Sequence, residues 1–180
     1  MWIRARVRIP PPRDIYIAVY YFPPASSPFD IHDGVERDPY ADLYTGITKY
    51  SVEGEGIIMG DFNARTRDLQ VPLHDRSEDV FCTRGIDPTS VGMQRTSKNI
   101  SGPITAYGRH LLQLGESHEL IILNDLPRFP TSQFFTCGPH GGGASVVDYA
   151  LACPTLLPYI QNLSVSSIPL SDHTLLSLSL

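Results

Sequence analysis

No stretch of this 180-residue sequence is apolar for long enough to cross a bilayer as a helix, so no membrane-spanning helix and no membrane partner is expected. The N-terminus, M-W-I-R-A-R-V-R-I-P-P-P, is basic but has neither an apolar core nor a small-residue cleavage site. It is therefore not read as a signal peptide. Its arginines alternate with Ile3, Val7 and Ile9, the pattern of an exposed strand, and Pro10 to Pro12 would stop the helix of a mitochondrial presequence. Cysteine is scarce. Cys82, Cys137 and Cys153 stand far apart, with no C-x-x-C pair and no disulfide framework. The expectation is a reducing, intracellular compartment, under which the glycosylation patterns at Asn99 and Asn162 are coincidence. An excess of basic charge is also missing. The net charge of −5 has the wrong sign for a dedicated high-affinity nucleic-acid module.

What is present is ordinary for a globular chain: 42% hydrophobic and 18% charged residues. The length suggests one domain, 1–180, able to bury around 70% of its unfolded surface. No internal repeat or linker interrupts it.

The most informative stretch is I-I-M-G-D-F-N at 57–63. Ile57, Ile58 and Met59 form a short buried-strand signal, ended by Gly60. Residues two apart on an extended chain point the same way, so Asp61 and Asn63 are predicted to share a face while Phe62 turns into the packing. An acid that can orient or deprotonate water, beside an amide that both donates and accepts, suits attack on a phosphorus centre. Taken alone, the stretch reads equally well as a strand-to-loop turn.

Around it, 14–21 (D-I-Y-I-A-V-Y-Y) is a β-branched, aromatic strand. Asp38 is placed to cap a helix with Pro39 at its first position and Tyr40, Leu43, Tyr44 and Ile47 on one stripe, ending near Tyr50. Residues 64–102 are polar and aperiodic, and are predicted to be the least ordered part of the chain. Its Arg65, Arg67, Arg76, Arg84, Arg95 and Lys98 are read as solvated surface. Pro103 opens a second helix, with Ile104, Tyr107, Leu111 and Leu114 on one side and Gly115 as its stop. Strands are expected at 120–124, 134–137, 145–152, 163–168 and 174–180, with a glycine-rich hairpin at 138–143 and a short helix at 156–160. Cys137 and His140 have metal-like spacing, but without a second pair this reads as chance. A lone acid, Asp148, stands in the apolar strand S-V-V-D-Y-A-L-A, which is costly unless it is paired. A hydrogen bond to His173 would explain it, fixing the ring as an orienting acid does in a catalytic triad.

Four polar islands thus punctuate apolar strands: Tyr20-Tyr21, Asp61 with Asn63, Asp148, and Asp172-His173. In this order, Y-F-P at 21–23, G-D-F-N at 60–63, S-V-V-D-Y at 145–149 and S-D-H at 171–173 resemble the endonuclease/exonuclease/phosphatase superfamily. The segment I-I-M-G-D-F-N-A-R, followed by Arg95, Gly108 and Leu111 before L-I-I-L-N, is most similar to the apurinic/apyrimidinic-endonuclease-like domain of non-LTR retrotransposons. The resemblance runs from about Ile15 to Leu180.

The resemblance implies an α+β fold, a DNase I-like four-layer α/β/β/α sandwich. It implies hydrolysis of a DNA phosphodiester with Mg²⁺ or Mn²⁺. Asp61 would orient or deprotonate the attacking water, and Asn63 would hold that water or the phosphate. Asp148 would orient His173, which would stabilise the phosphoryl oxygens. Asp172 would lie on the metal side with Asp61, and Tyr21 would touch the phosphate. A reverse transcriptase would accompany the domain in a parent element, and an enzyme acting on genomic DNA would be nuclear.

Two departures qualify this. The family carries an Asn strand and a metal-binding Glu strand upstream of the tyrosine strand. The first 14 residues here contain neither residue type, and Glu53 and Glu55 fall in the wrong place. The chain therefore resembles the C-terminal two-thirds of the domain, N-terminally truncated, with impaired metal binding. Loss of those strands predicts an unpaired edge or exposed apolar face beside 14–21, and poor solubility. Thr105 stands where the relatives carry Asn. Two alternatives remain open: a non-catalytic remnant that binds nucleic acid or a partner, and a phosphatase of the same superfamily. The segment Ile168-Pro169-Leu170 lacks the basic residues expected of a phosphoinositide phosphatase.

Overall fold

Alternating β-branched and aromatic residues build a central five-stranded sheet. The computed structural model describes residues 1–8, 12–24, 31–32, 35–36, 38–71, 93–97, 102–131, 135–138 and 144–180, with only the backbone at 31–32 and 35–36. The sheet contains β1 (Trp2–Val7), β2 (Arg13–Tyr21), β5 (Glu55–Asp61), β6 (Ile121–Ile122) and β7 (Asp148–Ala152), in the order β1-β2-β5-β7-β6. A small ladder joins β3 (Ile31–His32) to β4 (Val35–Glu36), and a two-stranded ribbon joins β8 (Asn162–Ser167) to β9 (Thr174–Ser179). The helices are α1 (Pro39–Ser51) and α2 (Ala106–His118), with a 3₁₀ turn at Pro154–Tyr159.

Strand alternation gives the sheet two apolar faces. Ala18, Ile58, Ile122, Tyr149 and Leu151 pack against Tyr40, Leu43 and Ile47 of α1 and Leu111 and Leu114 of α2. Ile15, Ile57, Ile121, Ala150 and Ala152 pack on the other side against Leu156, Leu163, Leu176 and Leu178. Each fully buried aliphatic side chain contributes about 1.5–3 kcal/mol. The chain is thus a mixed α/β protein with a helix layer, a central multi-stranded sheet and a second β layer. That order is consistent with a DNase I-like α+β fold. Both described α-helices lie on the same face of the sheet, so a second helix layer is not among the described residues.

The first helix follows its sequence signals closely. Asp38 accepts the Tyr40 amide at 2.9 Å, and Pro39 stands at the first position. The second departs at both ends. Thr105, not Pro103, caps it, its hydroxyl accepting the Gly108 amide at 3.0 Å. Gly115 does not end α2. The helix runs to His118, and Glu119 takes the left-handed conformation at φ 54°. Gly115 is small for a packing reason, because a Cβ there would lie 2.5 Å from a Val71 methyl.

The expected open edge beside residues 14–21 is covered as far as Ala18, while Val19 and Tyr21 beyond it are exposed. β1 pairs antiparallel with β2 from Trp2↔Ala18 to Val7↔Arg13. The sheet edge passes to β1, whose exposed Arg4 and Arg6 both reach Asp14. Charge on an edge strand disfavours edge-to-edge association. Glu53 and Glu55 stay away from the rim described below: Glu53 accepts from the Tyr16 hydroxyl at 2.6 Å, and Glu55 bonds Arg13. The ends of the long polar segment are tightly packed, with Thr66, Val71, Met93 and Arg95 all buried. The remainder, 72–92 and 98–101, lies outside the described residues, as does 139–143 of the expected hairpin.

Candidate functional site

The register of three strands assembles the site. Tyr21 ends β2, Asp61 ends β5 and Asp148 begins β7. Tyr21 stands beside Asp61, and Asp61 lies directly opposite Asp148. Period-two alternation puts Asp61 on the same side as Ile57, and Asp148 on the same side as Ala150, so both carboxylates face the ribbon layer. His173 arrives from that layer, immediately before β9. Its Nδ1 lies 3.1 and 3.3 Å from the two Asp148 carboxylate oxygens, and its Nε2 lies 3.8 Å from Asp61 Oδ2. The imidazole is clamped by one acid and turned toward the other.

Asp61 and Asn63 meet in a different way from the one read in the sequence. The strand ends at Asp61, and Asn63 takes φ 44°, in the left-handed region that Asn tolerates. Asp61 Oδ1 accepts the Asn63 amide at 2.8 Å, closing a tight side-chain turn. The Asn63 carboxamide then donates to Phe22 O at 2.6 Å and to Asp61 Oδ2 at 3.2 Å. Its donors hold Asp61, so Asn63 acts as the brace of that carboxylate. Phe62 packs into the core as expected. Gly60 has φ 146°, and a Cβ there would meet Tyr20 O at 1.9 Å, so only glycine allows this approach.

Two carboxylates directly opposite each other repel. Asp61 is pushed above the ordinary carboxylate range by burial first and by the charge of Asp148, while the Asn63 amide pulls it back. Asp148 is also pushed up by burial, opposed by hydrogen bonding from Thr136 and by His173. Thr136 was not singled out in the sequence. Its hydroxyl oxygen accepts the amides of Val147 and Asp148 at 2.9 and 3.0 Å, fixing the start of β7. Asn124 was also missed. Its Oδ1 accepts the Ala150 amide at 2.8 Å and its Nδ2 donates to Asp148 O at 3.1 Å, so its side chain holds β7 just beyond β6. A polar residue closing an apolar run, L-I-I-L-N, was the available signal.

Arg95 corrects the surface reading. It is 2% exposed. Its Nε donates to Asn124 O at 2.8 Å and its Nη1 donates to Thr66 Oγ1 at 3.0 Å and to Leu69 O, with the guanidinium over the Tyr149 ring. Thr105 does more than cap the helix. Its hydroxyl accepts from both Gly108 N and Arg65 N at 3.0 Å, tying α2 to the loop after Asp61. Gly108 is required there, because a Cβ would lie 2.1 Å from Arg65 O.

Tyr21 is exposed, and Asp172 is exposed beside His173. Two sets of ligand atoms, each within 4.8 Å of one another, could hold a metal ion: Asp61, Asp148 and His173, or Cys137, Asp172 and His173. The expected pair Asp61 and Asp172 therefore falls into different sets, joined through His173. His140, which has a metal-like spacing from Cys137, lies outside the described residues. Among the described residues, no helix is long and apolar enough to cross a membrane.

No family model matches this sequence, and no curated protein matches it. Eleven chains of solved structure match. One is the endonuclease domain of TRAS1, a telomere-specific non-LTR retrotransposon. It is similar over 91% of this chain at 21% identity with a TM-score of 0.47. This chain spans 55% of that domain's length.

Proposed function

We propose that this chain is a metal-assisted phosphodiester hydrolase of the endonuclease/exonuclease/phosphatase superfamily, acting on DNA as retrotransposon endonuclease domains do. The observation that carries the reading is the His173 ring, held by Asp148 and turned toward Asp61 on a half-open rim. Asp61, braced by Asn63, takes a proton from or orients the attacking water. A carboxylate pushed upward by burial and a like charge suits that work at neutral pH. His173 donates to the phosphoryl oxygens, and Asp148 keeps the ring oriented. Tyr21, exposed beside Asp61, meets the neighbouring phosphate.

Asp61 and Asp148 would hold a divalent cation such as Mn²⁺ or Mg²⁺, since the two repelling carboxylates stand opposite each other at the strand ends, with the free side of the His173 ring left to the phosphate. When bound, the ion neutralises charge on the phosphate oxygens. Two carboxylates are few for Mg²⁺, so the rate is expected to be low.

Supercoiled plasmid incubated with the 180-residue chain and Mn²⁺ tests this. The expected result is slow nicking that Asp61→Ala and His173→Ala each abolish. A segment bearing the family's Asn and Glu, fused upstream, should raise the rate. Nicking that is absent with and without that segment, or that survives His173→Ala, overturns the reading.

A further inference from the structure

We propose that Cys137, Asp172 and His173 form a second metal site, selective for a thiophilic divalent cation of the zinc class, which competes with Asp61 for His173 while Asp148 keeps hold of the ring. The ligand atoms of the three residues already lie within 4.8 Å of one another. The backbone holds them there. Cys137 and His173 face each other in an antiparallel bridge. Gly138 N donates to Asp172 O at 2.8 Å, and Thr174 N donates to Thr136 O at 2.9 Å, so the two segments are zipped on both sides of the ligands. Ser145 further pins Cys137, donating to its carbonyl at 2.8 Å and accepting its amide at 3.0 Å.

Sulfur, carboxylate and imidazole suit zinc, whose sites with three protein ligands leave a fourth position open. The hard-donor set of Asp61 and Asp148 lacks sulfur, so softness separates the two. Asp148 against the ring supplies the carboxylate–histidine arrangement that orients a metal-bound imidazole. Binding breaks the Cys137 S–H bond: the proton leaves to solvent, the sulfur lone pair goes to the metal, and no oxidation state changes. The binding claim stands by itself. The competition clause rests on the hydrolase reading.

Titration of the 180-residue chain with Co²⁺, followed by absorption, tests the binding. The expected result is a thiolate-to-cobalt charge-transfer band that saturates at one equivalent. Cys137→Ser should lose the band, and Cys153→Ser should keep it. Asp172→Asn should keep the band with affinity weakened by at least about tenfold, the smallest loss typical of removing a supporting group. Because Asp172 is exposed, that variant folds even if Cys137→Ser does not. A wild-type chain without the band, a band that survives Cys137→Ser, or an unchanged affinity in Asp172→Asn overturns the site. In Mn²⁺-supported nicking, equimolar Zn²⁺ should suppress the wild type and spare Cys137→Ser relative to its own zinc-free rate. Equal suppression overturns the competition. Absence of nicking both with and without the upstream segment undoes the hydrolase reading and leaves the cobalt result standing.

Discussion

Strand β7 touches two buried polar clusters that differ in kind. At its first residue, Asp148 faces Asp61 across the ladder, acid against acid, with His173 between them and solvent. One residue on, Tyr149 lies under the Arg95 guanidinium in a sealed cluster of Thr66, Asn124 and Asp125. The sealed cluster joins opposite charges and turns Nε and Nη1 of Arg95 onto carbonyl and hydroxyl oxygens, with Nη2 3.9 Å from Asp125. The open cluster does the reverse and keeps like charges close. A buried polar group in the first is a structural part. In the second it is a standing electrostatic cost that a proton or a cation relieves.

Removing one partner from each cluster should therefore give opposite results. Arg95→Ala removes the buried cation beside Asp125 and the donor to three oxygens, and should destabilise the fold by about 3–5 kcal/mol, read from the denaturant midpoint. Loss of less than about 1 kcal/mol, the worth of an exposed pair, would erase the distinction between the clusters.

Asp61→Asn should abolish nicking yet raise stability in chelator at neutral pH by up to about 1 kcal/mol, since it removes a like-charge pair. The sign with pH follows from the upward shift of Asp61. The folded wild type holds its proton to higher pH than the unfolded chain, so its stability falls as pH rises through the folded value and then levels. The advantage of Asp61→Asn should thus be small in acid and grow toward neutrality. An advantage independent of pH would show that Asp61 carries no buried-charge cost.

The smallest effect is expected at Thr105. Asn is as good a cap, so Thr105→Asn should shift stability by only a few tenths of a kcal/mol, whereas Thr105→Ala should cost about 1 kcal/mol. Thermal unfolding of the two variants separates them. Equal losses would mean that the contact with Arg65, and not the cap, does the work.

Much of this was legible in the sequence. Asp38-Pro39 announced α1, β-branched and aromatic residues announced β2, and the apolar run 57–59 announced β5; strands at β8 and β9 were expected as well. An acid in an apolar strand, with a histidine before the last strand, pointed to the Asp148–His173 contact. Other features were hidden for reasons that can be named. Asn63 reads as a strand neighbour of Asp61, but it reaches it through a left-handed turn. Gly115 reads as a helix stop, but it is small because Val71 presses on the helix from another element. Arg95 reads as surface because a guanidinium is polar, and nothing local shows the carbonyls of Asn124 and Leu69 waiting for it.

The sequence by itself determined what is local: the Asp38 cap, the Pro39 start of α1 and the strand-forming character of the apolar runs. These depend on φ/ψ preferences and side-chain spacing along one segment. Only the tertiary structure decided that Asp61 stands opposite Asp148, that β1 closes the edge of β2, and that Cys137 comes within ligand distance of His173. Those pairings depend on strand register between distant segments. Register is set by which faces are buried together, a property of the whole core and of no single stretch.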